Sequence, residues 1–130
     1  MAVRSRSAGH YWGVVLDAPD PGVLGRFYAQ LLGWTIASES TTGATVYPGD
    51  GVAYLAIQQA TDYTPPTWPA QPGQQQMMLH LDVEVGELDA AVAHAVELGA
   101  TVARFQPQRD VRVMLDPAGH PFCLYVDTNS

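Results

Sequence analysis

Few side chains in this sequence have the types that do chemistry, and each stands in a definite local pattern. His80 opens the run His80-Leu-Asp-Val-Glu84, whose alternation of polar and apolar residues reads as a strand. An imidazole titrates near neutral pH, so His80 in a cavity could bind a ligand or carry a proton as an acid/base catalyst. The plainer alternative is a hydrogen-bonded histidine on a half-buried strand. Cys123, the single cysteine, stands between Phe122 and Leu124 in another strand-like run. It reads first as a buried, inert thiol; a nucleophilic role needs a neighbouring base, for which His80 is the candidate. Trp68 sits in Pro65-Pro-Thr-Trp-Pro69, where a stiffly held indole could close over an apolar, aromatic or cationic ligand, or could fill a gap in the packing. Tyr54 and Tyr63 carry the same two readings. His120, in Ala118-Gly-His-Pro121, is expected to serve turn packing. Arg112 alternates with Val111 and Val113, so it points away from both, toward an anionic ligand or toward water. The sequence contains no Gly-rich phosphate loop, no Gly-x-Ser-x-Gly and no His-Glu-x-x-His.

Composition narrows the classes. The chain has 130 residues, 47% of them apolar and 15% charged, which suits one folded domain and argues against disorder. One cysteine excludes an intrachain disulfide framework and a multi-cysteine zinc site. Thirteen acidic residues face six arginines and no lysine, for a net charge of −7. That balance argues against nucleic acid as a partner, because phosphate backbones are bound by clustered positive charge. Apolar runs such as 54–57 fall far short of the roughly 20 residues that span a bilayer, and Arg4 and Arg6 are followed by no signal-like apolar stretch. A cytoplasmic protein without membrane contact is expected.

The elements that must position these residues come as a repeat. Gly13-Val-Val-Leu-Asp-Ala-Pro-Asp20 leads into a helical pattern closed by Leu32-Gly33, and His80-Leu-Asp-Val-Glu-Val-Gly-Glu87 leads into another closed by Leu98-Gly99. Asp20 suits an N-cap, Pro21 the first helical position and Gly33 a left-handed stop. Val23, Leu24, Phe27, Leu31 and Leu32 form the first apolar stripe; Leu88, Val92, Ala95 and Val96 form the second. Phe27 and Tyr28 are expected in the core. Strand-like stretches follow at 35–40, 44–47 and 52–59, then at 101–107, 111–115 and 121–127. Pro48-Gly-Asp-Gly51 and Asp116-Pro-Ala-Gly119 have the composition of tight turns. The pattern is βαβββ twice: one α+β domain over residues 1–130, with module one at about 10–60, a linker loop at 61–76 and module two at 77–127. A loop of that length in a compact domain is often a lid or binding segment.

Taken together, 16–20 leading into Phe27-Tyr-Ala-Gln-Leu-Leu-Gly33, then Leu79-His-Leu-Asp82, and Asp116-Pro-Ala-Gly-His-Pro-Phe122 resemble the vicinal-oxygen-chelate superfamily of glyoxalases, bleomycin-resistance proteins and extradiol dioxygenases. The resemblance runs from about residue 11 to 127 and is nearest to the glyoxalase-like group. It implies two modules whose strands curve into a half-open barrel sheet with the helices outside and a small-molecule cavity on the concave face. It also implies a divalent metal held by His and Glu from four strands. Here the first-strand position matches Gly13, and His10, an odd number of residues away, should face the other side. Residues 51–60 offer no carboxylate, Gln58 or Gln59 being the nearest polar candidates; the second-module position matches His80, and the last matches Cys123 in place of Glu. The resemblance therefore implies a small organic ligand bound near His80, Gln58, Trp68, Tyr54 and Cys123, with His80 as the one catalytic candidate and no metal cofactor expected. The alternative is a divalent-metal-dependent lyase, isomerase or dioxygenase with an atypical ligand set that includes His80. A homodimer is the expected assembly.

Overall fold

The computed structural model describes Val3 and residues 9–127. The chain divides into two compact units, with the boundary between Tyr63 and Thr64. The first unit contains β1 (Trp12–Ala18), α1 (Pro21–Leu32), β2 (Thr35–Glu39), β3 (Gly43–Tyr47) and β4 (Ala53–Gln59). Its sheet runs β1-β4-β3-β2, with β1 parallel to β4 and the other pairs antiparallel. Helix α1 starts where the chain dictates: the Asp20 carboxylate accepts the Val23 N–H at 3.4 Å, and Pro21 occupies the first turn. It stops at Gly33, which takes a left-handed φ of 70°. Leu24, Phe27 and Tyr28 are buried, as are Leu16, Ala18, Ala44, Val46, Leu55 and Ile57 of the sheet. Gly25 lets the helix come close: a Cβ there would stand 2.9 Å from the Ala44 Cβ. Val23, expected in the apolar stripe, is 43% exposed. Each helical residue advances by about 100°, so a stripe centred on Leu24, Phe27 and Tyr28 turns Val23 toward water.

Because side chains alternate along a strand, the opposite face of this sheet carries Gly13, Val15 and Asp17 of β1, Tyr54, Ala56 and Gln58 of β4, and Thr45 and Tyr47 of β3. This helix-free face borders an open groove of about 360 Å³ whose lining includes Val15, Ser38, Thr45, Ala56 and Gln58.

The second unit repeats the order with β5 (Leu81–Glu84), α2 (Leu88–Leu98), β6 (Thr101–Val102), β7 (Val111–Leu115) and β8 (Pro121–Tyr125). Its sheet runs β5-β8-β7-β6, again with the first pair parallel. Glu87 caps α2 by accepting the Ala90 N–H at 2.9 Å, and Gly99 ends it at a φ of 122°. Ala95 is fully buried, with Leu88 and Val92 half-buried beside it, whereas Val96 is 46% exposed, one residue off the stripe. The Asp116 carboxylate lies buried in the last turn and accepts the N–H groups of Ala118 and His120 at 2.9 and 3.0 Å. The His120 ring pairs with it at 2.9 Å, so both residues build the turn, as expected.

The strand expected at 101–107 is the main difference, since β6 covers only two residues. Ala103 still donates its N–H to the Val113 carbonyl at 3.0 Å. Beyond it the Gln106 side chain replaces the backbone: its amide donates to the Ala103 and Val113 carbonyls and accepts the Val113 N–H, all at 2.8–2.9 Å. Once a side-chain amide occupies the partner groups of β7, the ladder ends. Strand β8 likewise stops at Tyr125, two residues before the expected limit. Within the linker, Thr67 donates its N–H to the Gln75 carbonyl at 2.8 Å and bridges to Gln76, so the segment closes on itself as an ordered loop.

Candidate functional site

His80 immediately precedes β5, and Asp82 lies two residues on, so strand alternation puts both side chains on one face. Parallel pairing then sets Asp82 directly beside Cys123 of β8. The outcome is a three-residue group: His80 Nε2 lies 3.3 Å from Asp82 Oδ1, and the nitrogen, sulfur and carboxylate oxygen all fall within 4.8 Å of one another. The three differ in burial: Cys123 is 3% exposed, His80 is half-buried and Asp82 faces solvent. Burial pushes the thiol up from its ordinary value of 9.0 to about 11, and the neighbouring Asp82 charge and hydrogen bond push the same way. Cys123 is therefore a neutral thiol at neutral pH and no ready nucleophile.

Trp68 of the linker lies on this group. Its indole stacks on the His80 ring with centroids 4.7 Å apart and planes 24° apart, and it meets Phe105 edge-on at 5.6 Å. The structure thus brings Trp68, His80 and Cys123 together within the second unit. Asp82 and Phe105 are members that sequence reasoning did not single out. Asp82 could have been found from its two-residue spacing to His80; Phe105 had no such signal, because the strand expected there is absent. Arg112 pairs across the ladder with Leu124, so it occupies the sheet face opposite Cys123. Its guanidinium is held by the Arg109 and Val111 carbonyls at 3.0 and 2.8 Å.

Tyr54 and Gln58 lie on β4 of the first unit, four residues apart on the same helix-free face. Gln58 donates to Asp17 Oδ1 at 2.7 Å across the β1–β4 pair. Tyr54 lies over Gly13: a Cβ there would meet the Tyr54 ring and carbonyl oxygen at 2.5 Å. The bare glycine is thus required by the tyrosine that covers it. Tyr54 also meets Tyr47 edge-on at 6.4 Å, and His10 stacks on Tyr47 at 4.5 Å while donating from Nδ1 to the Ala53 carbonyl at 3.1 Å. His10 therefore joins the face it was expected to avoid. It stands before β1 with a φ of 55°, where strand parity no longer governs direction. Tyr63 is half-buried at the end of the first unit.

With this geometry the sequence can be placed. The profile of the glyoxalase-like domain matches residues 13–125, and the chain belongs to that family. Solved structures with the same fold include a glyoxalase/bleomycin resistance protein/dioxygenase family enzyme from Burkholderia phytofirmans. It is 17% identical, covers 92% of this chain and 98% of its own length, and has a TM-score of 0.64. A possible glyoxalase from Bacillus cereus matches at 14% identity, 92% and 99% coverage and a TM-score of 0.63. A glyoxalase-related enzyme from Fulvimarina pelagi matches at 14% identity, 95% and 89% coverage and a TM-score of 0.64. No curated protein matches the sequence. The two βαβββ modules, α+β with a four-stranded mixed sheet each, are the fold of this family.

Family members typically bind a divalent metal. The residues present do not fit a ligand set drawn from four strands. In the first unit the Gly13 position offers no donor and its space is taken by Tyr54, while Gln58 is engaged by Asp17. Among the described residues the one group of three side chains close enough together to hold a metal ion is His80, Asp82 and Cys123.

Proposed function

We propose that this chain is a small-molecule-binding member of the glyoxalase/bleomycin-resistance group that works without the family's four-strand metal site. The observation that carries the reading is the Trp68–His80 stack, in which a linker indole is laid on the one histidine at a family site position. A rigid indole edged by Phe105 offers an apolar surface for a partly aromatic ligand, and the imidazole and the neutral Cys123 thiol offer polar contacts beside it. Tyr54 and Gln58 are taken as further ligand-facing residues, supported by their position on the helix-free face of the first unit. In this reading residues 1–130 form one glyoxalase-like domain, working in the cytoplasm as a homodimer of the kind its family typically forms.

The test is a thermal-shift screen of chelator-treated, tag-free protein against small aromatic and cationic compounds. A binder present at about a hundred times its Kd should add nearly 3 kcal/mol of stability. Trp68→Ala should remove that shift while leaving the unliganded melting curve close to wild type. A screen in which no compound moves the curve would overturn the reading, as would a shift indifferent to Trp68→Ala.

One observation favours a second reading, a metal-dependent lyase, isomerase or dioxygenase with an atypical ligand set: the juxtaposition of His80, Asp82 and Cys123. Turnover that requires an added divalent ion and is lost in His80→Ala would support it over simple binding.

A further inference from the structure

We infer that the first unit holds a subsite for a protonated arylalkylamine, formed by His10, Tyr47 and Tyr54 with Asp50 in the adjoining turn. The claim builds on the ligand-facing role given to Tyr54 above and is independent of the Trp68–His80 surface.

The backbone at His10 carries the first argument. Among the described residues His10 is the one non-glycine residue with a left-handed φ, 55°. A residue with a bulky side chain is seldom held there, and such conformations persist only where surrounding contacts enforce them. Three contacts do so. The His10 N–H donates to the Gly51 carbonyl at 3.2 Å, Nδ1 lies 3.1 Å from the Ala53 carbonyl, and the ring stacks on Tyr47 with planes 9° apart. A carbonyl oxygen only accepts, so Nδ1 carries the proton and the neutral ring presents a lone pair at Nε2. Packing alone would be met by an apolar ring; the anchored tautomer instead fixes a hydrogen-bond acceptor beside two phenol rings. Tyr47 meets Tyr54 edge-on at 6.4 Å, and Tyr54 lies over Gly13, where a Cβ would collide with it. All three rings belong to half-buried residues, so part of each remains open to a ligand.

Charge then selects the ligand. The described residues of the first unit include the carboxylates of Asp17, Asp20, Glu39, Asp50 and Asp62, against the single arginine Arg26, which is paired with Glu39 at 2.6 Å. Asp50 is exposed in the turn that follows Tyr47, next to the Gly51 whose carbonyl holds His10. Among the described residues it has no cationic partner. An anionic ligand finds no arginine or lysine to receive it on this face. An ammonium group finds the His10 Nε2 lone pair, the negative faces of tyrosine rings and an unpaired carboxylate in the bordering turn. An aryl group joined to it by a short alkyl link packs against the same rings.

The experiment uses the full chain with nitrogen-15-labelled histidine, its four imidazoles followed by long-range proton–nitrogen spectra. Without ligand, His10 should show the Nδ1–H tautomer. Benzylammonium should shift the His10 Nε2 resonance and leave those of His80 unmoved, which separates this site from the Trp68–His80 surface. Benzyl alcohol, similar in shape but uncharged, and phenylacetate, an anion, should bind more weakly. His10→Gly, whose residue takes a positive φ without strain, should weaken benzylammonium binding about tenfold, the effect of losing one hydrogen bond to a charged group. Asp50→Ser should weaken benzylammonium and not benzyl alcohol. Circular dichroism checks each variant. Should His10→Gly fail to fold, the wild-type spectra and Asp50→Ser, at an exposed turn position, decide the matter. An Nε2–H tautomer at His10, no shift there, phenylacetate binding as well as benzylammonium, wild-type affinity in His10→Gly, or no effect of Asp50→Ser would each overturn the inference. A shift confined to His80 would overturn it too, while leaving the Trp68-centred reading intact.

Discussion

At Cys123 a single thiol reports on its surroundings. Its proton is retained to about pH 11, whereas an unfolded chain releases it near its ordinary value of 9.0. Below pH 9 both states hold the proton and the contribution to stability is constant. Between about 9 and 11 the unfolded state alone sheds it, so stability falls as pH rises, and the loss levels off above. Cys123→Ala should flatten that part of a urea-midpoint profile. The same shift makes the thiolate about a hundredfold scarcer at neutral pH than in free cysteine. Iodoacetamide should accordingly label the metal-free native protein at least that much more slowly than the urea-unfolded chain. At this scale the sequence showed where His80 and Cys123 stand and that Gly13 brings no ligand. It did not show why Gly13 must be glycine, because the reason is a tyrosine more than forty residues away. Nor did it show that Asp82 completes a cluster, because that depends on the register of β5 against β8.

Among the elements, those announced by local chemistry came out nearly as expected. The caps at Asp20 and Gly33 bound α1, and the turn built on Asp116 delivers β8 to its place beside β5 and β7. Such signals are legible because capping and turn formation act within a few residues. The stretch 101–107 failed for the opposite reason. Its β-forming composition is overruled by the Gln106 side chain, which takes three hydrogen-bonding groups of Ala103 and Val113. Replacing Gln106 with Ala would leave those part-buried groups without their partners. Losses of this kind cost on the order of 1–3 kcal/mol, so the urea midpoint should drop with the slope unchanged. A variant as stable as wild type would show that the ladder, once vacated, re-forms around water.

For the whole chain, charge and repetition are the properties that matter. A net charge of −7 with no lysine leaves no basic stripe for a phosphate backbone. Electrophoretic mobility of duplex DNA should be unchanged by the protein at low salt, and a retarded band there would contradict this. Among the described residues no helix is long and apolar enough to cross a membrane. The repeat of βαβββ was visible in the sequence because both copies carry the same punctuation: a short β run, a capped helix, Leu-Gly, and later a Pro/Gly turn. By itself, then, the sequence determined the modules, the helix ends, the tight turns and the family, all of which rest on short-range backbone preferences and their order. Only the tertiary structure decided the neighbours: Trp68 on His80, Tyr54 over Gly13, and Asp82 beside Cys123. These contacts join residues far apart in the chain through strand register and loop path, and register is set by packing of whole faces, which no local run of residues encodes.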